Sequence, residues 1–336
     1  MVRLLNFEVI KMNPLKRFSQ IFLGWLAAFL VSGATVFAAY PEKPVTIVVP
    51  YPAGGATDVI ARMLAEKLTS AWKQQVVVIN KPGAGTTVAA EALARTPGDG
   101  YTLYMTTAAH TISASLYSKL NYDPIKDFGP ITLVSTIPLV LVTNPAIPAK
   151  TLKELIDYAK SQKNGLTMAS TGNGTPQHLA GELFKAKTGV QLVHVPYKGD
   201  TPMLTDLMGG QVQVAFVTLS AALPYIKSGK LRAIALAHGE RVAALENVPT
   251  TTEAGMPGFT AATWFGLYGP ASMPTALREK ISADIRRIVA EPGMTQRLQD
   301  MGAQVNNSTP EAFQKVIDAE VINWSQAVKL SGARID

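Results

Sequence analysis

The sequence predicts an α/β fold with mostly parallel strands, arranged as two domains. Short apolar strands alternate with amphipathic helices along most of the 336 residues, and this alternation is typical of parallel sheets covered by helices. The length supports two domains of about 100–200 residues each. A glycine-rich turn joins the first strand to the first helix, at the strand end where open α/β sheets bind ligands.

The first unit of this fold is a strand, turn and helix from Val45 to Trp72. Val45 to Val49 is β-branched throughout and apolar except for Thr46, as expected of a buried parallel strand. The helix follows from Asp58, with apolar residues at helical spacing. Gly54 and Gly55 in the turn let the backbone approach a ligand, and the helix start offers unpaired N–H groups to an anion. The alternative is a connecting turn that binds nothing.

The middle of the chain continues the pattern and then interrupts it. A strand at Val76–Ile79, an alanine-rich helix to about Arg95 and a strand in "PGDGYTLYMTT" come first. The apolar stretch "GPITLVSTIPLVLVTNP" follows, and Pro138 inside it would break a helix. We interpret the stretch as an extended crossing between two lobes; two ordinary core strands are the alternative.

From Thr151 the alternation restarts, and helices then dominate. Thr175 before Pro176 predicts a helix start and Gly189 its end, while Thr201 before Pro202 predicts the start of the next helix. Strands are expected at Leu166–Ala169, Gln191–Val195, Val212–Val217 and Leu231–Ala237. The last third predicts helices at Pro274–Ala290, Gly293–Met301 and Pro310–Leu330, which we expect to pack back onto the first lobe.

The first 38 residues predict a secretory signal. Basic residues precede an apolar run from Ile21 to Ala38, and Val36-Phe37-Ala38 fits the small-x-small cleavage rule. A membrane anchor is the alternative, but no basic stop-transfer cluster follows the run. The true start is either Met1 or Met12. The mature chain is therefore expected in a bacterial periplasm.

Composition and motifs exclude several functions. The chain carries +7, of which residues 1–38 contribute +3 and the rest +4, without the basic runs of nucleic-acid binders. There is no cysteine, so disulfides are impossible. Phosphate-loop, dinucleotide and nucleophile-elbow motifs are missing, and the four histidines lack paired zinc spacing. We expect no cofactor, no metal and no catalytic residue.

Three strand ends run into loops of one type, "PYPAGGATD", "STGNGTP" and "PYKGDTP". If the two halves face one another, these loops aim backbone N–H groups and the hydroxyls of Ser170, Thr171 and Thr175 into one cleft. Such groups favour a carboxylate ligand. His178 lies in the first turn of its helix and is expected to be neutral, contacting the ligand or supporting the loop. Asp58 is expected to orient its own loop.

The motifs "YPEKPVTIVVPYPAGGATDVIAR", "STGNGTPQHLAGELFK", "VPYKG", "GKLRAIA" and "VPTTTEAGMPGF" resemble the Bug-type receptors of tripartite tricarboxylate transporters. The resemblance implies a two-lobed periplasmic binding fold of the second topological type. Lobe 1 would comprise residues 39–140 plus 263–336, and lobe 2 residues 141–262. The family's carboxylate-binding loops correspond here to Pro52, Ala53, Gly54 and Gly55, and to Ser170, Thr171, Gly172, Asn173, Gly174 and Thr175. Tyr51, Thr107, His178 and Tyr197 are expected around the pocket, and Asp58 beside it.

The resemblance implies a monomeric, non-enzymatic periplasmic receptor that delivers a small organic carboxylate to a membrane permease. A receptor for a signalling partner and an enzyme acting on a carboxylate are the alternatives. One departure concerns Val217, which stands where many relatives have an acid. If Val217 faces the ligand, an ammonium group there would be desolvated without a partner. The ligand would then lack an α-amino group; if Val217 only completes its strand, it says nothing about the ligand.

Export gives the first testable prediction. Cells that express the full chain should yield a soluble protein beginning at Ala39 in the osmotic-shock fraction, because the basic head and small-residue boundary direct cleavage there. Intact mass and N-terminal sequencing measure this. Recovery of full-length chain from the membrane fraction, with residues 1–38 retained, would contradict it.

Overall fold

The computed structural model describes residues 40–331, so the predicted signal segment 1–38 lies outside the described residues. No helix within 40–331 is long and apolar enough to cross a membrane. The first half follows the predicted alternation of strand and helix. Its elements are β1 (Val45–Val49), α1 (Ala56–Trp72), β2 (Val76–Asn80), α2 (Thr87–Ala94), β3 (Thr102–Thr107) and α3 (Ala109–Leu116).

The second half repeats this plan after residue 151. Its elements are α4 (Leu152–Ser161), β5 (Leu166–Ser170), α5 (Pro176–Thr188), β6 (Leu192–Pro196), α6 (Asp200–Met208), β7 (Val214–Thr218), α7 (Leu219–Lys227) and β8 (Arg232–Leu236). Thr175 accepts a hydrogen bond from the His178 N–H and caps α5, and Gly189 ends that helix at φ 69°, both as predicted. The predicted start of α6 is wrong by two residues, because the helix begins at Asp200 with Gly199 before it.

Two long strands connect the halves. β4 (Phe128–Thr143) and β9 (Ala262–Pro270) pair antiparallel from Phe128 opposite Pro270 to Pro138 opposite Ala262. The remainder of β4, from Leu139 to Thr143, pairs instead with β7 and with β8. The stretch around Pro138 is therefore one continuous strand that belongs to both parts of the sheet, which confirms the extended interpretation.

The resulting sheet is mixed, as expected when parallel units flank a crossing pair. Its strand order is β2-β1-β3-β9-β4-β7-β5-β6, and β8 and the short β10 (Gln304–Val305) also pair with β4. β1 is parallel to β2 and β3, and β5 is parallel to β6 and β7. The α/β fold with crossing strands is confirmed, while the lobe boundary near residue 140 stays a prediction.

The C-terminal helices are α8 (Thr275–Val289), α9 (Pro292–Asp300) and α10 (Pro310–Ser331). Phe313 and Ile317 of α10 share one buried cluster with Tyr104 of β3 and Leu116 of α3. The predicted return of the chain end to the first half is thus confirmed. A second cluster, with Phe184 and Phe216 among its members, fills the second half.

A substitution at Gly266 in β9 tests whether the C-terminal helix α10 packs onto the first half. A Cβ added there would overlap the ring of Phe313, which has no exposed surface. We expect Gly266→Ala to lower the free energy of unfolding by about 1–3 kcal/mol, since an overpacked core cannot relax fully. Urea denaturation measures this. Gly293→Ala is the control, because its Cβ would meet no atom within 4 Å; equal stability of the two variants would contradict this packing.

Candidate functional site

The predicted loops meet at a cleft between the two halves. Its outer cavity encloses about 370 Å³ and is lined from the first half by Pro50, Tyr51, residues 82–86 and Tyr117. Thr171, Gly172, Asn173, Pro196, Tyr197 and Lys198 line it from the second half. An inner cavity of about 20 Å³ lies next to it, since Tyr51 and Thr171 line both. The two halves thus face one another here, which is the condition under which these loops share one cleft.

The walls approach closely on both sides of the outer cavity. A Cβ on Gly85 would overlap the backbone oxygen of Asn173, and a Cβ on Gly199 would lie 2.8 Å from Pro52 Cδ. Gly85 and Gly199 also have positive φ, 59° and 126°. Both positions therefore require glycine for conformation and for close approach.

Asp58 organises the first loop, as predicted. Its Oδ2 accepts hydrogen bonds from the Gly54 N–H at 3.0 Å and from Arg62 Nε at 2.9 Å, while Asn80 Nδ2 donates to its Oδ1 at 2.8 Å. Burial alone would raise the pKa of Asp58, but the bonds from Arg62, Gly54 and Asn80 lower it overall. Asp58 is absent from the residues that line either cavity, so its effect on a ligand would act through the loop.

Gly54 and Gly55 differ in conformation within this loop. Gly54 has φ 88°, in the left-handed region, whereas Gly55 precedes α1 with φ −79°. Pro52 and Ala53 do not line either cavity, but Gly55 lines the inner one. Positive φ therefore restricts Gly54 and not Gly55.

Tyr51 places a neutral hydroxyl in the cleft. Its Oη lies 2.8 Å from Thr107 Oγ1, and both residues line the inner cavity. Burial raises the pKa of Tyr51 above its usual value, more than the Thr107 bond lowers it. Tyr51 and Thr107 thus lie together at the cleft.

The hydroxyls of the second loop point differently from expectation. Ser170 Oγ donates to the Gly172 carbonyl at 3.1 Å and lies 2.6 Å from His194 Nε2. Thr175 Oγ1 donates to the same carbonyl at 2.8 Å, and both side chains are fully buried. Ser170, Gly174 and Thr175 therefore shape the loop, and Thr171, Gly172 and Asn173 form its surface on the cavity.

His178 lies behind the second loop. Its Nδ1 accepts the Gly174 N–H at 3.2 Å, and its ring stacks on that of His194 with centroids 4.0 Å apart. Burial lowers the pKa of each histidine to about 4. Both rings are neutral at pH 7, as predicted for His178, and neither lines a cavity.

Tyr197 and Lys198 line the mouth of the cleft. Tyr197 Oη donates to Asp206 Oδ2 at 2.7 Å, and the Tyr197 N–H donates to the Ser170 carbonyl at 2.9 Å. Burial, with the Asp206 carboxylate, raises the pKa of Tyr197 to about 12. Tyr197 is therefore a neutral and firmly held wall residue.

Val217 has a different environment from the one its alignment implied. It has no exposed surface, pairs with Val140 inside the sheet, and lines neither cavity. The next residue, Thr218, lines the inner cavity and accepts a hydrogen bond from Gln177 Nε2 at 3.1 Å. Val217 completes its strand here, so the structure supplies no contact through which it would reject an amino group.

Asp200 is the residue that sequence reasoning missed. It begins α6 and lines the inner cavity, and its Oδ2 lies beside the start of α1, 3.2 Å from the site of a Cβ on Gly55. Burial raises its pKa to about 6. Its other oxygen, Oδ1, is enclosed and has no hydrogen-bond partner within the described residues. The sequence signal is the acid that ends "PYKGD", but the predicted helix cap at Thr201 leaves Asp200 in the loop.

Several further residues that line the cavities were also not predicted. The loop 82–86 and Tyr117 complete one wall of the outer cavity, while Gln177, Thr263 and Phe265 surround the inner one. Thr263 and Phe265 belong to β9, and they reach the cavity because this strand returns through the sheet, which no local pattern reveals.

A comparison with known protein families identifies the family to which this chain belongs. Residues 60–332 match the family described as Tripartite tricarboxylate transporter family receptor. The chain belongs to this family. The resemblance drawn from the motifs is thereby confirmed.

Solved structures of similar proteins agree with this assignment. A Rhodopseudomonas palustris protein solved with adipate superposes with a TM-score of 0.85 at 33% identity, over 88% of this receptor and 100% of that chain. The periplasmic binding protein BugD gives 0.84 at 35%, over 88% and 99%. MatC from Rhodopseudomonas palustris, solved with malate, gives 0.82 at 32%, over 86% and 100%. The receptor thus has the two-lobed fold of periplasmic binding proteins.

The half-buried Asp200 gives a pH-dependent prediction. A carboxyl whose pKa rises on folding from 3.8 to about 6 destabilises the folded state above pH 4, and this cost grows up to about pH 6. Asp200→Asn should therefore be more stable than the wild type at pH 7.5 by about 1–2 kcal/mol, less than the full shift implies because the residue keeps some exposure. Near pH 4 the difference should vanish.

Urea denaturation at pH 4 and 7.5 measures both values. The pKa values of His178 and His194 are lowered to about 4, so these rings lower stability as the pH falls from 6.5. Their effect is common to both proteins and cancels in the difference. Asp157→Asn is the control, since its side chain is 60% exposed. If Asp200→Asn is less stable than the wild type at pH 7.5, the charged Asp200 does not destabilise the folded state and the prediction is wrong.

Proposed function

We propose that this protein is a periplasmic receptor that binds a small organic carboxylate in the cleft between its halves and delivers it to a membrane permease. The single observation that carries the proposal is the pairing of two βα loops, residues 50–55 and 170–175, on opposite walls of one cavity. The adipate and malate seen in similar receptors support the ligand class.

The polar groups of the cleft suit this ligand. Thr171, Gly172 and Asn173 present backbone and small polar side chains, and Tyr51 presents a neutral hydroxyl. Hydrogen bonds to a charged group contribute about 1.5–3 kcal/mol each. Several of them would offset much of the cost of immobilising a small acid.

The size of the cleft supports a small solute. Ligand pockets range over about 300–1,000 Å³, and the outer cavity has about 370 Å³. That is at the low end of this range. The proposal therefore concerns compact acids and not peptides or large cofactors.

An enzyme is the less favoured alternative. Ser170 and His194 are 2.6 Å apart, which resembles a nucleophile and base. However, Ser170 has no exposed surface and neither residue lines the cavity. A buried hydroxyl bonded to its own loop cannot attack a solute, and incubation with candidate acids should give no turnover.

The site residues proposed from sequence keep distinct roles here. Tyr51, Gly55, Thr107, Thr171, Gly172, Asn173 and Tyr197 would contact the ligand. Pro52, Ala53, Gly54, Asp58, Ser170, Gly174, Thr175 and His178 would hold the two loops in shape. A permease is the proposed recipient because the family takes its name from a transporter; a signalling partner remains the alternative.

Gly172 provides the mutational test. It has φ 133°, and its Cβ would lie 3.2 Å from the Tyr197 carbonyl at the cavity wall. We expect Gly172→Val to weaken binding of adipate or malate at least tenfold, because the added side chain disturbs the loop where the carboxylate approaches. Isothermal titration measures the affinity after a thermal-shift screen.

Gly255→Val is the matched control. Gly255 also has positive φ, 94°, but its Cβ would meet no atom within 4 Å, and it does not line the cleft. It should carry similar backbone strain and bind normally. If Gly172→Val binds with unchanged affinity, the second loop is not part of the binding site.

A further inference from the structure

The inner end of the cleft carries a negative charge that a simple dicarboxylate does not match. Among the described residues that line the inner cavity, Asp200 is the acid, and no lysine, arginine or histidine accompanies it. Lys198 lines the outer cavity and is exposed. The inner and outer parts of the cleft therefore differ in charge.

Asp200 occupies the position where the sequence predicted an external anion. Its Oδ2 lies 3.2 Å from the site of a Cβ on Gly55, the residue before α1, and Asp200 shares the inner cavity with Ala56 and Thr57 of that helix. The positive end of the α1 dipole thus already has an anion. A ligand carboxylate at the same place would face a like charge in a confined space.

The second oxygen of Asp200 lacks a partner. Oδ1 is enclosed and makes no hydrogen bond within the described residues. The inner cavity has about 20 Å³, which is room for about one water molecule. A buried acceptor without a donor destabilises the protein. A ligand that brings a hydrogen-bond donor to this oxygen therefore gains binding free energy, whereas a ligand carboxylate here would lose it by repulsion.

We propose that Asp200 selects ligands that carry an ammonium group as well as a carboxylate, so that the receptor prefers amino acids to the corresponding simple acids. The ammonium binds Oδ1 in the inner cavity, and the carboxylate lies in the outer cavity. This inference rests on the proposed function and deepens it. It reverses the preference drawn from Val217, since that residue is outside the cleft.

The test is isothermal titration of three matched pairs of acids at pH 7.5. The pairs are succinate with L-aspartate, glutarate with L-glutamate, and adipate with L-2-aminoadipate. In each pair only the amino group differs. The wild type should bind the amino member of at least one pair about ten- to hundredfold more tightly, as expected for a charged hydrogen bond.

Asp200→Asn should lower the ratio of the affinity for the amino acid to the affinity for the simple acid at least tenfold, because the carboxamide is the same size as the carboxylate but lacks the charge. Simple acids should bind this variant as tightly as the wild type or more tightly. Asp157→Asn, which makes the same charge change at an exposed helix position, should keep the wild-type preference.

The outcomes separate the two proposals. If simple acids bind the wild type as well as or better than their amino partners, the role of Asp200 is wrong and the carboxylate receptor stands. The role is also wrong if Asp200→Asn keeps the wild-type ratio. If no acid of either kind binds, the proposed function fails, and this inference fails with it.

Discussion

The pairing of β4 with β9 is the interaction on which the other features depend. β4 pairs with β9 as far as Pro138 and with β7 and β8 beyond it. The same strand therefore belongs to the sheet of each half. Because parallel βα units extend from both sides of this pair, their carboxyl-terminal loops meet at one cleft. Any change that separated β4 from β9 would move the loops apart without altering the loops themselves.

The cleft also depends on how each loop satisfies its own polar groups. Ser170, Thr175 and His178 bind backbone atoms of the second loop, and Asp58 does the same in the first. Buried polar groups need such partners. The side chains that look most reactive in the sequence are therefore used for internal support. What remains for a solute is the surface at Thr171, Gly172 and Asn173 together with Tyr51.

The inner and outer parts of the cleft differ in charge, although the loops that line them are similar in sequence. The starts of α1 and α6 come from different halves, and the Asp200 carboxylate at the start of α6 lies against the start of α1. An acid in this position satisfies the α1 dipole and at the same time leaves one oxygen without a donor. The same residue thus connects the two halves and biases the choice of ligand.

The sequence by itself determined the alternation of strands and helices, the cap at Thr175, the extended stretch around Pro138 and the family. These features follow from local spacing, capping chemistry and motifs, which act over a few residues. The tertiary structure alone decided that Val217 is buried, that the Ser170 and Thr175 hydroxyls turn inward, and that Asp200 reaches α1. The approach of Asp200 to α1 brings together residues more than 100 positions apart, and the burial of Val217 depends on which face of its strand meets the cavity. The two hydroxyls depend on how the second loop folds back so that both reach its Gly172 carbonyl. A one-residue change of register moves a side chain from core to cleft, as the neighbours Val217 and Thr218 demonstrate, and only the assembled sheet fixes that register.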